Sequence, residues 1–299
     1  MFLWFKKGLK VLFLRGVSSS TRKFLSYTNK KINKKKLFTR FTVGEMLLFL
    51  SGCNTSLIEG TLNNDNLIGT DKSDVILAGD GNDSIEGGAG NDILDGGPDI
   101  DTVSYADASA AIIVDLREES EQVFKGTYID TLIGIENIIG SNFNDVITDG
   151  IADNEITGGL GCDLFQIAQG SNTITDLHSC DVFVVEEGAT LNAIVKGEFI
   201  ASPETVVVGT VRLLAGTASS IIDMRNASSG EFIIIGGEGN DVLAGGILND
   251  TLTGGEGSDV FIISSGTDYI SDLNTGDSLQ VSTNAVMAAV NVSNFIADN

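Results

Sequence analysis

From residue 65 onward, aliphatic residues return at a step of nine: Leu67, Ile76, Ile85, Leu94 and Val103. Each is separated from the next by a stretch rich in Gly, Asn and Asp. That pattern predicts very short strands divided by tight turns, with the middle side chain of each strand facing a core and its neighbours facing away. The step reappears at Ile147, Ile156 and Phe165, and again at Leu243, Leu252 and Phe261. Between these runs the apolar positions are denser, as in Ile112-Ile113-Val114, Thr131 to Ile139, Val206-Val207-Val208 and Ile233-Ile234-Ile235, with Gly134 and Gly140 as turn points. These also read as strands, so the chain is predicted to be all-β.

Two residues before each periodic apolar position stands an acid or its amide. Asp65, Asp74, Asp83, Asp92 and Asp101 form the first run, Asp145, Asn154 and Asp163 the second, and Asp241, Asp250 and Asp259 the third. The later runs fade while keeping the step, through Asn172 and Asp181 in one and Asp268 and Asp277 in the other. Residues 140–185 align on 236–281 at a constant offset of 96 without a gap, which points to a duplication. Glycines lead the units: Gly79, Gly81, Gly87, Gly88, Gly90, Gly96 and Gly97, then Gly158, Gly159 and Gly161, then Gly236, Gly237, Gly239, Gly245, Gly246, Gly254, Gly255 and Gly257. Glycine permits the positive φ and tight curvature that turn backbone carbonyls inward.

A unit such as Gly87-Gly88-Ala89-Gly90-Asn91-Asp92-Ile93-Leu94-Asp95 follows the pattern GGxGxDxUx, and the sequence resembles the hemolysin-type (RTX) calcium-binding nonapeptide repeats. The resemblance implies a parallel β-roll, or β-solenoid, in which two nonapeptides make one 18-residue coil and calcium ions sit in the turns. Calcium takes six to eight oxygens from carboxylates and carbonyls, which this composition supplies. On that geometry the metal-ligating candidates pair 18 apart: Asp65 with Asp83, Asp74 with Asp92, Asp83 with Asp101, Asp145 with Asp163, Asp241 with Asp259, Asp250 with Asp268, and Asp259 with Asp277. Asp163 with Asp181 is a weaker pair because its turn has lost its glycines, and Asn154 predicts a poor or empty site. The competing reading is a metal-free solenoid with Asp, Asn and Gly as turn formers. Cys162 and Cys180 both occupy the fifth position of their units, and an 18-residue coil would stack one over the other. Adjacent strands lie about 4.7–4.9 Å apart, inside the roughly 4.4–6.8 Å a disulfide spans between Cα atoms, so a bond is predicted. Their counterparts in the other copy are Ser258 and Gly276.

Charge narrows the function classes. The 299 residues hold 18 Lys and Arg against 41 Asp and Glu, but twelve of the bases lie in residues 1–50 beside a single acid. The strongly acidic remainder has no Lys or Arg beyond Arg225 and would repel phosphate backbones, so no nucleic acid is expected as a partner. The chain has one histidine, His178, which excludes an HExxH zinc protease, and it contains no G-x-S-x-G elbow and no phosphate-binding loop. The repeated carboxylates are accounted for by calcium, so no catalytic residue is assigned.

The predicted organisation is a basic leader (1–58), three repeat runs (59–104, 140–185 and 236–281), β connectors between them (105–139 and 186–235), read as cation-free coils, and a C-terminal tail (282–299). In the leader, Phe41 to Leu50 followed by Ser51-Gly52-Cys53 resembles a lipoprotein signal whose Cys53 would be lipidated, although Glu45 interrupts the apolar run. An untranslated or disordered basic leader are the alternatives. In the tail, Ala285 to Val290 reads as a short apolar helix of a type I secretion signal. The expectation is an exported, non-catalytic calcium β-roll at the cell surface or outside it, as a structural, adhesive or secretion module. Its partners would be calcium ions, type I secretion machinery, and a cell-surface polysaccharide or protein. A calcium-dependent polysaccharide-acting exoenzyme, or a fragment of a larger RTX exoprotein, is the alternative.

Overall fold

The computed structural model describes residues 55–117, 121–283 and 285–289, together with a separate antiparallel pair of short strands, Trp4–Lys6 with Leu9–Val11. Residues 12–54, Cys53 among them, lie outside the described residues. From residue 55 the chain winds as a parallel β-solenoid and forms no helix among the described residues. One wall is a continuous 12-stranded sheet that begins at Asn66–Thr70 and ends at Val286–Ala289. The other wall is a 10-stranded sheet from Ser56–Glu59 to Val206–Val207, followed by a five-stranded sheet from Glu198–Ile200 to Ser278–Val281.

The nine-residue period produces this fold because consecutive units face each other across the core and alternate units stack in register. Ile76 pairs with Leu94 and Leu94 with Leu132; Ile147 pairs with Phe165 and Phe165 with Phe183; Leu243 pairs with Phe261. All eight are fully buried, and each contributes about 1.5–3 kcal/mol through removal of its side chain from water. Where the step is 18, strand partners fall 18 apart, as in Ile156 with Ile174 and Leu252 with Ile270. Across 186–235 the coils lengthen: Ala193 pairs with Leu213 and Leu213 with Ile234. The added residues sit in the turns, and the inward positions stay stacked.

The 105–139 connector differs from the plain coil expected of it. Ile112–Asp115 joins the wall parallel to Val146–Thr148, but Glu121–Lys125 then runs back antiparallel to it, and Tyr128–Ile133 returns antiparallel again to lie parallel on Ile93–Asp95. The chain has skipped ahead along the solenoid and folded back by a two-residue hairpin loop, Gly126-Thr127, with Gly126 at φ +63°. A glycine at positive φ in a two-residue loop is the geometry that matches strand twist. The tail also departs from expectation. Val286–Ala289 is a strand paired with Thr267–Ile270, because an unpaired sheet edge takes up an alternating segment more readily than so short a helix forms alone.

Candidate metal centre

The aspartates at the sixth position of each unit stack into two columns. One runs Asp65, Asp83, Asp101, Glu136, Asn154 and Asn172, each bonded to the next one up. The other begins Asp74, Asp92 and Asp130, continues at Asp145, Asp163 and Asp181, and resumes at Asp241, Asp259 and Asp277; Asp250 and Asp268 form a further pair on the continuous wall. The rungs whose upper member is an acid have one design: a carboxylate oxygen accepts the backbone N–H of the residue one coil earlier. Asp83 Oδ1 accepts from Asp65 at 2.7 Å, Asp101 from Asp83 at 2.8 Å, Asp163 from Asp145 at 2.8 Å, Asp259 from Asp241 at 2.9 Å and Asp268 from Asp250 at 2.9 Å. Asp92, Asp181 and Asp277 do the same for Asp74, Asp163 and Asp259.

The second carboxylate oxygen is the informative one. In Asp65, Asp145, Asp250, Asp181 and Asp277 it accepts an N–H from its own turn. His178 is the donor to Asp181, and its ring is half-buried. In Asp83, Asp101, Asp163, Asp241, Asp259 and Asp268 the Oδ2 atom is buried and has no partner among the described residues; in Asp74 the same is true of Oδ1. All seven residues are at most 2% exposed. A buried carboxylate oxygen without a counter-charge costs several kcal/mol, so these atoms require a proton or a cation.

Electrostatics point the same way. Burial, with the charge of neighbouring column carboxylates added, raises Asp163 and Asp250 to about 7 and Asp101 to about 6. Burial likewise pushes Asp145, Asp181, Asp241, Asp259 and Asp268 upward. Without a cation the columns resist being charged together.

The turns leave room beside these oxygens. A Cβ on Gly158 would collide with Asp163 Oδ2, and one on Gly159, at φ +94°, would collide with the Ser141 carbonyl of the coil before. The two glycines of a pair therefore serve different ends. Positive φ belongs to the second and fourth positions, at Gly79, Gly81, Gly88, Gly90, Gly97, Gly159, Gly161, Gly237, Gly255 and Gly257. The first-position glycines Gly87, Gly96, Gly158, Gly236, Gly245 and Gly254 lack it and instead face the carboxylate of their own turn, while Gly239 and Gly246 are exceptions at the later positions. Carboxylate and carbonyl oxygens crowd each turn, which suits a hard cation. Among the described residues no three Asp, Glu, His or Cys side chains form a metal cluster by themselves. A calcium ion here could draw on backbone carbonyls as well as on the orphaned carboxylates.

Asn replaces Asp with a different outcome. Asn154 donates its own Nδ2 to the Glu136 carbonyl at 2.5 Å, and Asn172 donates to Asp149 Oδ2 and the Gln169 carbonyl. An amide carries the donors that a carboxylate column must import, so these positions are satisfied without metal. Four column or turn residues escape the sequence pattern. Asp130 and Glu136 continue the columns for Asp92 and Asp101, at separations of 38 and 35 that the hairpin insertion created. Asp176 accepts from both Gly158 and Gly159, and Asp272 from both Gly254 and Gly255. Their recurrence at the duplication offset was the available signal.

Cys162 and Cys180 form a disulfide with Cα atoms 4.9 Å apart, joining successive coils beside Asp163 and Asp181. In the other copy Ser258 and Gly276 occupy these places, and the Asp259–Asp277 rung has the same form without the bond.

Four stretches of the chain, residues 59–94, 68–103, 129–165 and 234–270, match the RTX calcium-binding nonapeptide repeat. No curated protein matches the chain. Among solved structures, an extracellular lipase from Serratia marcescens is similar at 14% identity and a TM-score of 0.27, over 76% of this chain and 32% of the lipase, so the chain spans about a third of that protein. With its nine-residue step, its two stacked columns and these four matches, the chain carries RTX nonapeptide repeats, and such repeats bind calcium ions.

Proposed function

We propose that the protein is an exported, non-catalytic β-roll that folds on calcium binding and acts as a structural, adhesive or secretion module. The reading rests on one observation above others: six buried Asp Oδ2 atoms and one Oδ1, all on the repeat aspartates, have no partner among the described residues. The ligands are then Asp74, Asp83, Asp101, Asp163, Asp241, Asp259 and Asp268 through these oxygens, with turn carbonyls completing each shell. Asp65, Asp145, Asp250, Asp181 and Asp277 contribute at the column ends once their local hydrogen bonds yield. Calcium would supply the positive charge the columns lack. At concentrations several times a Kd of roughly 10⁻⁴–10⁻³ M, each ion adds about 1–2 kcal/mol to the folded state. Several ions together approach the roughly 5–15 kcal/mol that holds an ordinary domain. The Cys162–Cys180 disulfide supports export, since such bonds persist in oxidising compartments. The test is far-ultraviolet circular dichroism of the full chain in chelator and in millimolar calcium. Strand signal gained on calcium addition supports the reading, and equal spectra and melting temperatures in both conditions refute it.

A further inference from the structure

In one place a column already holds a cation, and the chain supplies it. Lys125 is 7% exposed, and its ammonium lies 2.9 Å from Asp92 Oδ2, 2.6 Å from Asp130 Oδ2 and 2.7 Å from the Gly88 carbonyl oxygen. An ammonium has three donors, and here all three are used. The Tyr105 ring lies with its centroid 5.8 Å from Nζ, and its hydroxyl donates to Asp130 Oδ2 at 3.1 Å. Both carboxylates belong to the column, because Asp130 Oδ1 accepts the Asp92 N–H as in the other acid rungs. The carbonyl is that of the second glycine in the Gly87-Gly88 turn. These are two carboxylate oxygens and one turn carbonyl, the oxygen types calcium takes.

The hairpin delivers the lysine. Side chains alternate at the end of the Glu121–Lys125 strand: Val123 is buried, Phe124 is exposed and Lys125 points inward again. Lys125 is also the last residue before the Gly126-Thr127 loop, paired with Tyr128 on one side and Ile112 on the other, so its backbone is fixed at the height of the Asp92–Asp130 rung. The contrast with the rest of the columns is internal. The Oδ2 atoms of Asp83, Asp101, Asp163, Asp241 and Asp259 have no partner among the described residues, whereas that of Asp92 has a buried ammonium. Of the six Lys and Arg residues after position 50, Arg117 and Arg225 pair with neighbouring Asp115 and Asp223, and Lys72, Lys196 and Arg212 are exposed.

We propose that Lys125 is a tethered cation standing in the place of a calcium ion, so that the coil around Asp92 and Asp130 holds together without calcium. This deepens the calcium reading of the columns and rests on it. The insertion would then give the solenoid one calcium-independent segment from which ordering of the neighbouring coils can spread when calcium arrives.

The experiment compares the full chain with Lys125→Met, counting bound calcium by equilibrium dialysis and following melting in chelator and in calcium. The variant is expected to bind one calcium more than the parent, to melt lower than the parent in chelator, and to recover in calcium. Should the variant fail to fold in chelator, hydrogen exchange on the unsubstituted chain in chelator decides. The amides of Asp92 and Thr131, bonded to Asp130 Oδ1 and the Asp92 carbonyl, should exchange about tenfold or more slowly than those of Asp241 and Val260, their counterparts at a rung without a lysine. An unchanged calcium count in a folded variant, or equal exchange at the two rungs, overturns the inference while leaving the calcium reading intact. A parent chain that binds no calcium overturns both.

Discussion

Replacing Asp163 with Asn should change the stability in opposite directions depending on calcium. Asp163 Oδ1 accepts the Asp145 N–H at 2.8 Å, while Oδ2 is buried without a partner and the carboxyl is raised to about 7 by burial and by the charges of Asp181, Asp145 and Asp176. Asparagine keeps the acceptor and converts the orphaned oxygen into a donor, as the chain itself does at Asn154, whose amide reaches a carbonyl. In chelator at pH 8 the parent holds this carboxylate ionised against its environment, at a cost of up to about 4 kcal/mol by linkage. Removing the charge should recover part of that, about 1–3 kcal/mol after the burial of the amide is allowed for. In calcium the substitution deletes a ligand from the ions on either side of Asp163, a loss of about 1–2 kcal/mol for each ion. Melting curves at pH 8 should therefore place the variant above the parent in chelator and below it in calcium, by a few degrees each way. Asp259→Asn, the duplicate position without a disulfide, should repeat the crossing. A shift of the same sign in both conditions would mean that no cation meets this oxygen.

Two other outcomes follow from the columns. Asp83→Ala should lower the calcium-bound melting temperature more than Asp65→Ala: Asp83 is buried, holds the Asp65 N–H and leaves one oxygen for an ion, whereas Asp65 is partly exposed and spends an oxygen on Thr61. The difference should be about 1–3 kcal/mol, read from calcium-saturated denaturation. In chelator, raising the pH should destabilise the chain, because carboxyls whose folded pKa is raised contribute fully below the ordinary carboxylate range and lose that contribution as the pH climbs through about 6 and 7. Melting between pH 4.5 and 8 in chelator should fall steadily, and the fall should largely vanish in calcium; a flat profile in chelator contradicts the assigned burial.

The nine-residue step made most of this fold legible, since a fixed spacing of aliphatic residues behind glycine turns can bury them only by stacking. It made the columns legible wherever Asp65 to Asp101 or Asp241 to Asp277 kept that step. Legibility ended where the spacing broke. The insertion before Asp130 hid the continuity of Asp92 with Asp130, because two residues 38 apart show no period. Lys125 carries no periodic signal in the sequence, and only the alternation set by Val123 and the Gly126 turn places it inside. At the tail, Val286–Ala289 is short enough to suit strand or helix, and the open edge at Thr267–Ile270 decides between them.

The most direct measurement is anomalous diffraction from crystals of the full chain grown in calcium. Peaks should lie in the turns, within coordination distance of Asp83, Asp101, Asp163, Asp241, Asp259 and Asp268 Oδ2, each shared with backbone carbonyls. No peak should lie between Asp92 and Asp130, where Lys125 already sits. Peaks confined to the outer surface, or calcium-free columns with these six carboxylates still buried, would contradict the account.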